Sequence, residues 1–140
     1  MGLQNKINVD YPPTHTFNIE RMEPTKVLKK RIDLLNEHFD SFFRGERFLD
    51  IGCNKGFLSF HNTKNFKEII GVDNSKKDID VCNEIKEIKG IKNIEFISSS
   101  FRNFTSEKTF DRIFLGNVHH HIFREIEGHE WIAKWKDVIG

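Results

Sequence analysis

The chain is poor in residues that staple a fold or cross a bilayer. Its 140 residues hold two cysteines, Cys53 and Cys82, which excludes a disulfide framework and fits a reducing compartment. Nowhere do the roughly 18 apolar residues of a membrane helix follow one another, and residues 1–10 lack a signal-peptide core. These absences predict a soluble, cytoplasmic chain without a membrane partner. Neither charge sign dominates. The 22 Lys and Arg against 21 Asp and Glu leave +1, so there is no bulk pull toward nucleic acid or an acidic membrane. Two glycine fingerprints are missing as well. The dinucleotide pattern G-x-G-x-x-G fails because Asn54 and Phe57 stand where its later glycines belong. The P-loop pattern fails because only three residues separate Gly52 from Gly56, with Phe57-Leu58 after them.

What is present is phenylalanine, 14 residues against one tyrosine, enough for an aromatic-rich core in a single domain. Residues 48–56 read Phe-Leu-Asp-Ile-Gly-Cys-Asn-Lys-Gly, an apolar strand running into an acidic, glycine-punctuated turn. Further on, Ile69-Ile70-Gly71-Val72 ends in Asp73. A strand, a tight turn, a helix and a strand ending in a carboxylate is how an open α/β sheet holds an adenosine-containing ligand. Asp50 would repel a phosphate at close range. It would attract an ammonium group.

Along the chain, residues 1–22 show no periodicity, and Pro12-Pro13 predicts an extended arm or a lid. From Pro24, apolar residues at Leu28, Ile32, Leu35, Phe39 and Phe42 predict an amphipathic helix ending before Gly45. Lys29, Lys30 and Arg31 fall off that stripe and read as a solvated face. Strands are predicted at 47–51, 68–72, 94–97 and 110–115, with a short helix from Gly56 after the first. Ser75 followed by Asp78 starts a helix that carries Ile79, Cys82, Ile85 and Ile88 inward and stops at Gly90. A last helix, from His121, carries Ile122, Ile126, Trp131, Trp135 and Val138. Alternating strands and helices predict an α/β fold, a parallel sheet with helices on both faces.

Four blocks resemble the class I S-adenosylmethionine-dependent methyltransferases and stand in that family's order. They are Phe48 to Gly56, Ile70 to Ser75, Ile94 to Phe101, and Phe110 to His120. The resemblance implies a three-layer Rossmann-like sandwich whose mostly parallel sheet has seven strands, of which this chain carries the first four. Strand four is internal in that topology, so residues 110–115 would be an uncovered apolar edge. Either the chain is an N-terminal piece of a longer protein or a partner completes the sheet. Residues 23–140 would form the cofactor domain, incomplete at its C-terminal side, behind the arm at 1–22.

The resemblance also implies roles. Gly52 and Gly56 would let the backbone approach the methionine part of the cofactor, and the helix opening near Gly56 would aim N–H groups at its carboxylate. Asp50 would sit near the ammonium, and Asp73 would take both ribose hydroxyls. Ser99, Ser100 and Phe101 would border the adenine, while Asn117 and Val118 would lie beneath the reacting methyl. Cys53 and Asn54 in the turn, with Asn74 beside Asp73, complete the set. Asn54 replaces a glycine common in the family, and Ser100 replaces an acidic residue that often holds the adenine amino group.

His119-His120-His121 follows strand four at the carboxyl edge of the sheet. Methyl transfer is an in-line displacement helped most by alignment, and a neutral imidazole near pH 7 can remove a proton from the acceptor. His120 or His119 is the candidate base. No metal is expected, because three consecutive residues cannot all face one ion. The reading is transfer of a methyl group from S-adenosyl-L-methionine to an oxygen or nitrogen, with a small-molecule acceptor favoured. Two rivals stay open. The turn at 50–56 also resembles that of RNA methylphosphate capping enzymes, although nucleic acid is disfavoured by the absence of a basic stripe. The other is a non-catalytic scaffold binding a partner through its open edge.

Overall fold

The computed structural model describes residues 2–8, 17–38 and 43–115. In chain order these form α1 (Leu3–Asn8), β1 (Phe17–Asn18), β2 (Glu23–Pro24), α2 (Lys26–His38) and β3 (Gly45–Ile51). Then come α3 (Phe57–His61), β4 (Phe66–Asp73), α4 (Lys76–Lys89), β5 (Ile94–Ser98) and β6 (Arg112–Leu115). The candidate residues Asn117, Val118, His119 and His120, and the helix expected from His121, lie outside the described residues.

β3 to β6 make one parallel sheet in the order β5-β4-β3-β6. The chain steps outward from β3 through β4 to β5, then returns to the far side of β3 as β6. That reversal is the switch point at which open α/β sheets form a crevice beyond their carboxyl ends. Among the described residues β6 is the outer strand on this side. Its four residues are half-buried.

Period-two alternation gives the sheet two apolar faces. Phe48, Ile69, Ile94 and Phe96 turn toward one cluster that includes Ile7 of α1, Ile32 of α2, Phe57 and Phe60 of α3, and Ile79, Cys82 and Ile85 of α4. Leu49, Ile51, Ile70 and Val72 turn to the other, where the loop after β5 supplies Phe101, Phe104 and Phe110. The phenylalanines pack as rings on rings, Phe48 on Phe66 at 5.0 Å and Phe60 on Phe96 at 5.3 Å. Each buried ring contributes roughly 1.5–3 kcal/mol relative to exposure.

α4 starts and stops where its sequence predicts. Ser75 Oγ accepts the Asp78 N–H, and Gly90 closes the helix in left-handed backbone at φ 65°. Ile88, however, is 68% exposed rather than inward. The predicted stripe advances in strict three-residue steps, each of which slips about 60° around the helix. By its fourth member it faces away from the first. At the start of α2, Pro24 belongs to β2, paired with Phe17, and the helix begins at Lys26. β6 likewise begins later than expected, at Arg112. Asp111 is occupied differently: its Oδ2 accepts the N–H groups of Glu46 and Arg47 at 2.7 and 2.8 Å and seals the amino end of β3. Phe110 lies buried beneath the Arg47 guanidinium, 5.1 Å away.

The expected extended arm is in part a helix. α1 buries Ile7 completely. The amide of Gln4 clasps β1, its Nε2 donating to Phe17 O and its Oε1 accepting the Ile19 N–H, both at 2.8 Å. Lys6 pairs with Glu84 of α4 at 3.2 Å, and the Phe17 ring rests 5.2 Å from Phe57. Among the described residues no helix is long and apolar enough to cross a membrane.

Candidate functional site

At the carboxyl ends of β3 and β4 the alternation puts Asp50 and Asp73 on the same face as Phe48 and Ile69, toward the helices. Asp50 stands opposite Gly71 in the ladder, and Asp73 ends β4 opposite Ser98. Between β3 and α3 the backbone turns through three left-handed residues, Gly52 at φ 72°, Asn54 at φ 51° and Gly56 at φ 86°. Val72 O accepts the N–H groups of both Gly52 (2.7 Å) and Cys53 (3.1 Å), so the turn folds back over the tip of β4. Asn54 then donates its N–H to Asp73 Oδ2 at 3.0 Å, while Asp73 Oδ1 accepts the Ser75 N–H at 2.9 Å. A carboxylate offers about four lone-pair sites; with the Asn74 N–H also acting on it, the backbone fixes its plane and leaves it capacity for a further bond.

Asp50 is 2% exposed and accepts the hydroxyl of Ser59 at 2.7 Å. Burial is the main cause that raises its pKa, from 3.8 to about 7; the Ser59 hydroxyl and N–H oppose the rise, and the nearby Asp73 charge adds to it. Burial likewise raises the Asp73 carboxyl, against the backbone N–H groups it accepts. Two buried acids therefore sit side by side, each holding its proton more tightly than an ordinary carboxyl. A cationic ligand reverses that preference. Lys55, 1% exposed, lies 3.4 Å from Asp78 Oδ1 beneath the turn.

Several expected contacts are redirected. The Asp50 carboxylate is engaged by α3 through Ser59, whose own N–H it also accepts, so that N–H is not left for a ligand. Gly56 is required by packing: a Cβ there would come within 2.9 Å of Phe60, 3.1 Å of Cys82 and 3.1 Å of Phe96. Cys53 is buried in the helix-side cluster, which leaves its main chain to face the crevice. Phe101 packs its ring with Phe104 and Phe110 on the opposite face of the sheet, so only its backbone is near the serines. Ser99 is tied by its N–H to Asp73 O at 2.9 Å, and Ser100 Oγ accepts the Asn103 N–H at 3.2 Å. Asn74 is exposed beside Asp73. The structure thus gathers Asp50, Gly52, Cys53, Asn54, Gly56, Asp73, Asn74, Ser99 and Ser100 around one edge. Sequence reading missed Ser59 and the Lys55–Asp78 pair. A hydroxyl in the first turn after an acidic strand end was the available signal for Ser59.

The methyltransferase domain family matches residues 42–127, the stretch that contains this edge. The chain belongs to that family. Members of this methyltransferase family use S-adenosylmethionine. Among curated proteins, a probable (S)-tetrahydroprotoberberine N-methyltransferase from Papaver bracteatum is 31% identical over 80 residues, 56% of this chain and 22% of the relative. Among solved structures, coclaurine N-methyltransferase bound to N-methylheliamine and SAH is 25% identical, with a TM-score of 0.53 over 64% of this chain and 27% of that one. The bifunctional kinase-methyltransferase WbdD shares the fold at 23% identity, with a TM-score of 0.67 over 97% of this chain and 33% of that one. The chain therefore spans a third or less of each of these methyltransferases.

Proposed function

We propose that this methyltransferase domain binds S-adenosyl-L-methionine at the β3–β4 edge and serves transfer of its methyl group to an oxygen or nitrogen of a small-molecule acceptor. The observation that carries the reading is the pair of buried carboxyls, Asp50 and Asp73, on one face of adjacent strand tips beside a left-handed turn. These residues fit a ligand that is positively charged and free of phosphate. Asp73 would hold the ribose. Gly52, Cys53 and Asn54 would line the methionine part with main chain, with Asp50 behind them. Asn74, Ser99 and Ser100 would border the adenosine. Once bound, the cofactor supplies a methyl group on a sulfonium, and the protein's work is to orient it and exclude water. Asn117 and Val118 remain candidates for the floor beneath the methyl, with His119 or His120 as the acceptor's base. Small-molecule acceptors are favoured because the relatives named above include a probable (S)-tetrahydroprotoberberine N-methyltransferase and coclaurine N-methyltransferase.

Residues 23–140 are read as the cofactor-binding unit and residues 1–22 as an arm or lid beside it; Ile7 and Phe17, buried in the helix-side cluster, support an arm fastened to that unit. Two free buried thiols support the reading of a reducing, cytoplasmic location. Calorimetry of the full chain with S-adenosylhomocysteine tests the reading. Binding that is lost in Asp73→Ala supports it, and parent-like affinity in that variant removes the site assignment.

A further inference from the structure

The turn after β3 is an improbable shape for a chain that carries side chains. Asn54 occupies left-handed backbone, which residues with a Cβ adopt sparingly, and left-handed glycines stand two residues before and after it. Contacts from the neighbouring βα unit hold that shape. Asp73 takes the Asn54 N–H at 3.0 Å, and the Cys82 thiol donates to Asn54 O at 3.2 Å. Beneath them the Lys55 ammonium lies 3.4 Å from Asp78 Oδ1, with the two side chains 1% and 3% exposed. These contacts close into a ring. Lys55 follows Asn54 in the chain; Asn54 bonds Asp73; Asp73 Oδ1 takes the Ser75 N–H at 2.9 Å; Ser75 Oγ takes the Asp78 N–H at 3.3 Å; Asp78 returns to Lys55.

A buried ion pair is seldom there for stability, since desolvation offsets its attraction and an apolar pair of similar volume often serves as well or better. What the pair adds is direction. It fixes the turn to the first turn of α4, and through Asn54 and Ser75 it fixes the plane of the Asp73 carboxylate. We propose that Lys55 and Asp78 are positioning residues of the methyl-donor site: without touching the cofactor, their buried pair locks the Asn54 turn onto α4 and so aims Asp73. This rests on the donor-site reading given above.

The test uses the full chain carrying Lys55→Met and Asp78→Leu together, which removes both charges at similar volume. Two quantities are read: affinity for S-adenosylhomocysteine by calorimetry and the thermal unfolding midpoint. The expected result is a midpoint at or above the parent's with affinity weakened at least tenfold. A pair that is merely structural would lower midpoint and affinity together, and that outcome overturns the proposal. Parent-like affinity in the double variant, with binding lost in Asp73→Ala, overturns it while leaving the donor-site reading intact. Parent-like affinity in Asp73→Ala removes both. Should the double variant fail to fold, Asp78→Asn decides. It keeps the side chain's size, and a loss of affinity of threefold or more is expected, while unchanged affinity overturns the proposal.

Discussion

Asp50 at the end of β3 accepts the hydroxyl of Ser59 from α3 at 2.7 Å, and both residues are buried. The bond crosses the glycine turn, so it ties the short helix α3 to the strand it follows. Ser59→Ala removes the hydroxyl and leaves a buried carboxyl short of a partner, at a cost of about 1–3 kcal/mol. Urea unfolding at neutral pH should show a lower midpoint with an unchanged slope. An unchanged midpoint would mean that water replaces the hydroxyl at no cost.

The raised pKa of Asp50 gives stability a pH dependence of definite sign. Below pH 4 both folded and unfolded chains carry this proton. Between about pH 4 and 7 the unfolded chain releases it while the folded chain keeps it, so stability declines as pH rises through that window. A rise from 3.8 to about 7 amounts to roughly 4 kcal/mol over the window. Asp50→Asn abolishes this contribution. The variant should lose ground against the parent at pH 4 and gain on it toward pH 8, measured by urea unfolding at both. Parallel pH profiles for the two proteins would contradict the assignment.

Gly71 gives Phe96 room to lie across the sheet. A Cβ at this position would stand 2.8 Å from Phe96 Cδ1 and 3.2 Å from Cys53 Sγ. Gly71→Ala should cost about 1–3 kcal/mol by overpacking. Adding Phe96→Leu should return part of it, with a coupling of about 0.5–3 kcal/mol in a double-mutant cycle. Strict additivity would count against the contact.

Gln4 holds β1 by both ends of its amide, so Gln4→Ala should release this segment locally. Hydrogen exchange at the Ile19 amide should accelerate on the order of tenfold or more, while amides in β3 and β4 keep their protection. Acceleration spread evenly over the sheet would instead make the clasp part of the global core.

The parallel sheet, the start and stop of α4 and the placing of Asp50 and Asp73 at neighbouring strand tips were all legible in the sequence. Each rests on local signals: runs of β-branched and aromatic residues, a Ser75 cap, a glycine stop. What escaped was set by tertiary geometry. The partnership of Lys55 with Asp78 spans 23 positions, from a turn whose left-handed residues reverse the usual direction of the side chain, and no periodicity announces it. Phe101 reads as a site-bordering aromatic until Phe104, three residues on, is seen to share its apolar pocket. Gly56 has a ligand-facing rationale in the motif, whereas its neighbours Phe60, Cys82 and Phe96 supply a packing one.

The three phenylalanines beneath the loop after β5 have a consequence for recognition. Ser99 and Ser100 stand between the end of a strand and a ring sunk into the sheet, with Phe104 as a second anchor. A segment pinned on both sides has little wandering left to surrender, so a ligand bordered by those serines, as proposed, would meet a surface set beforehand and forfeit less entropy on arrival.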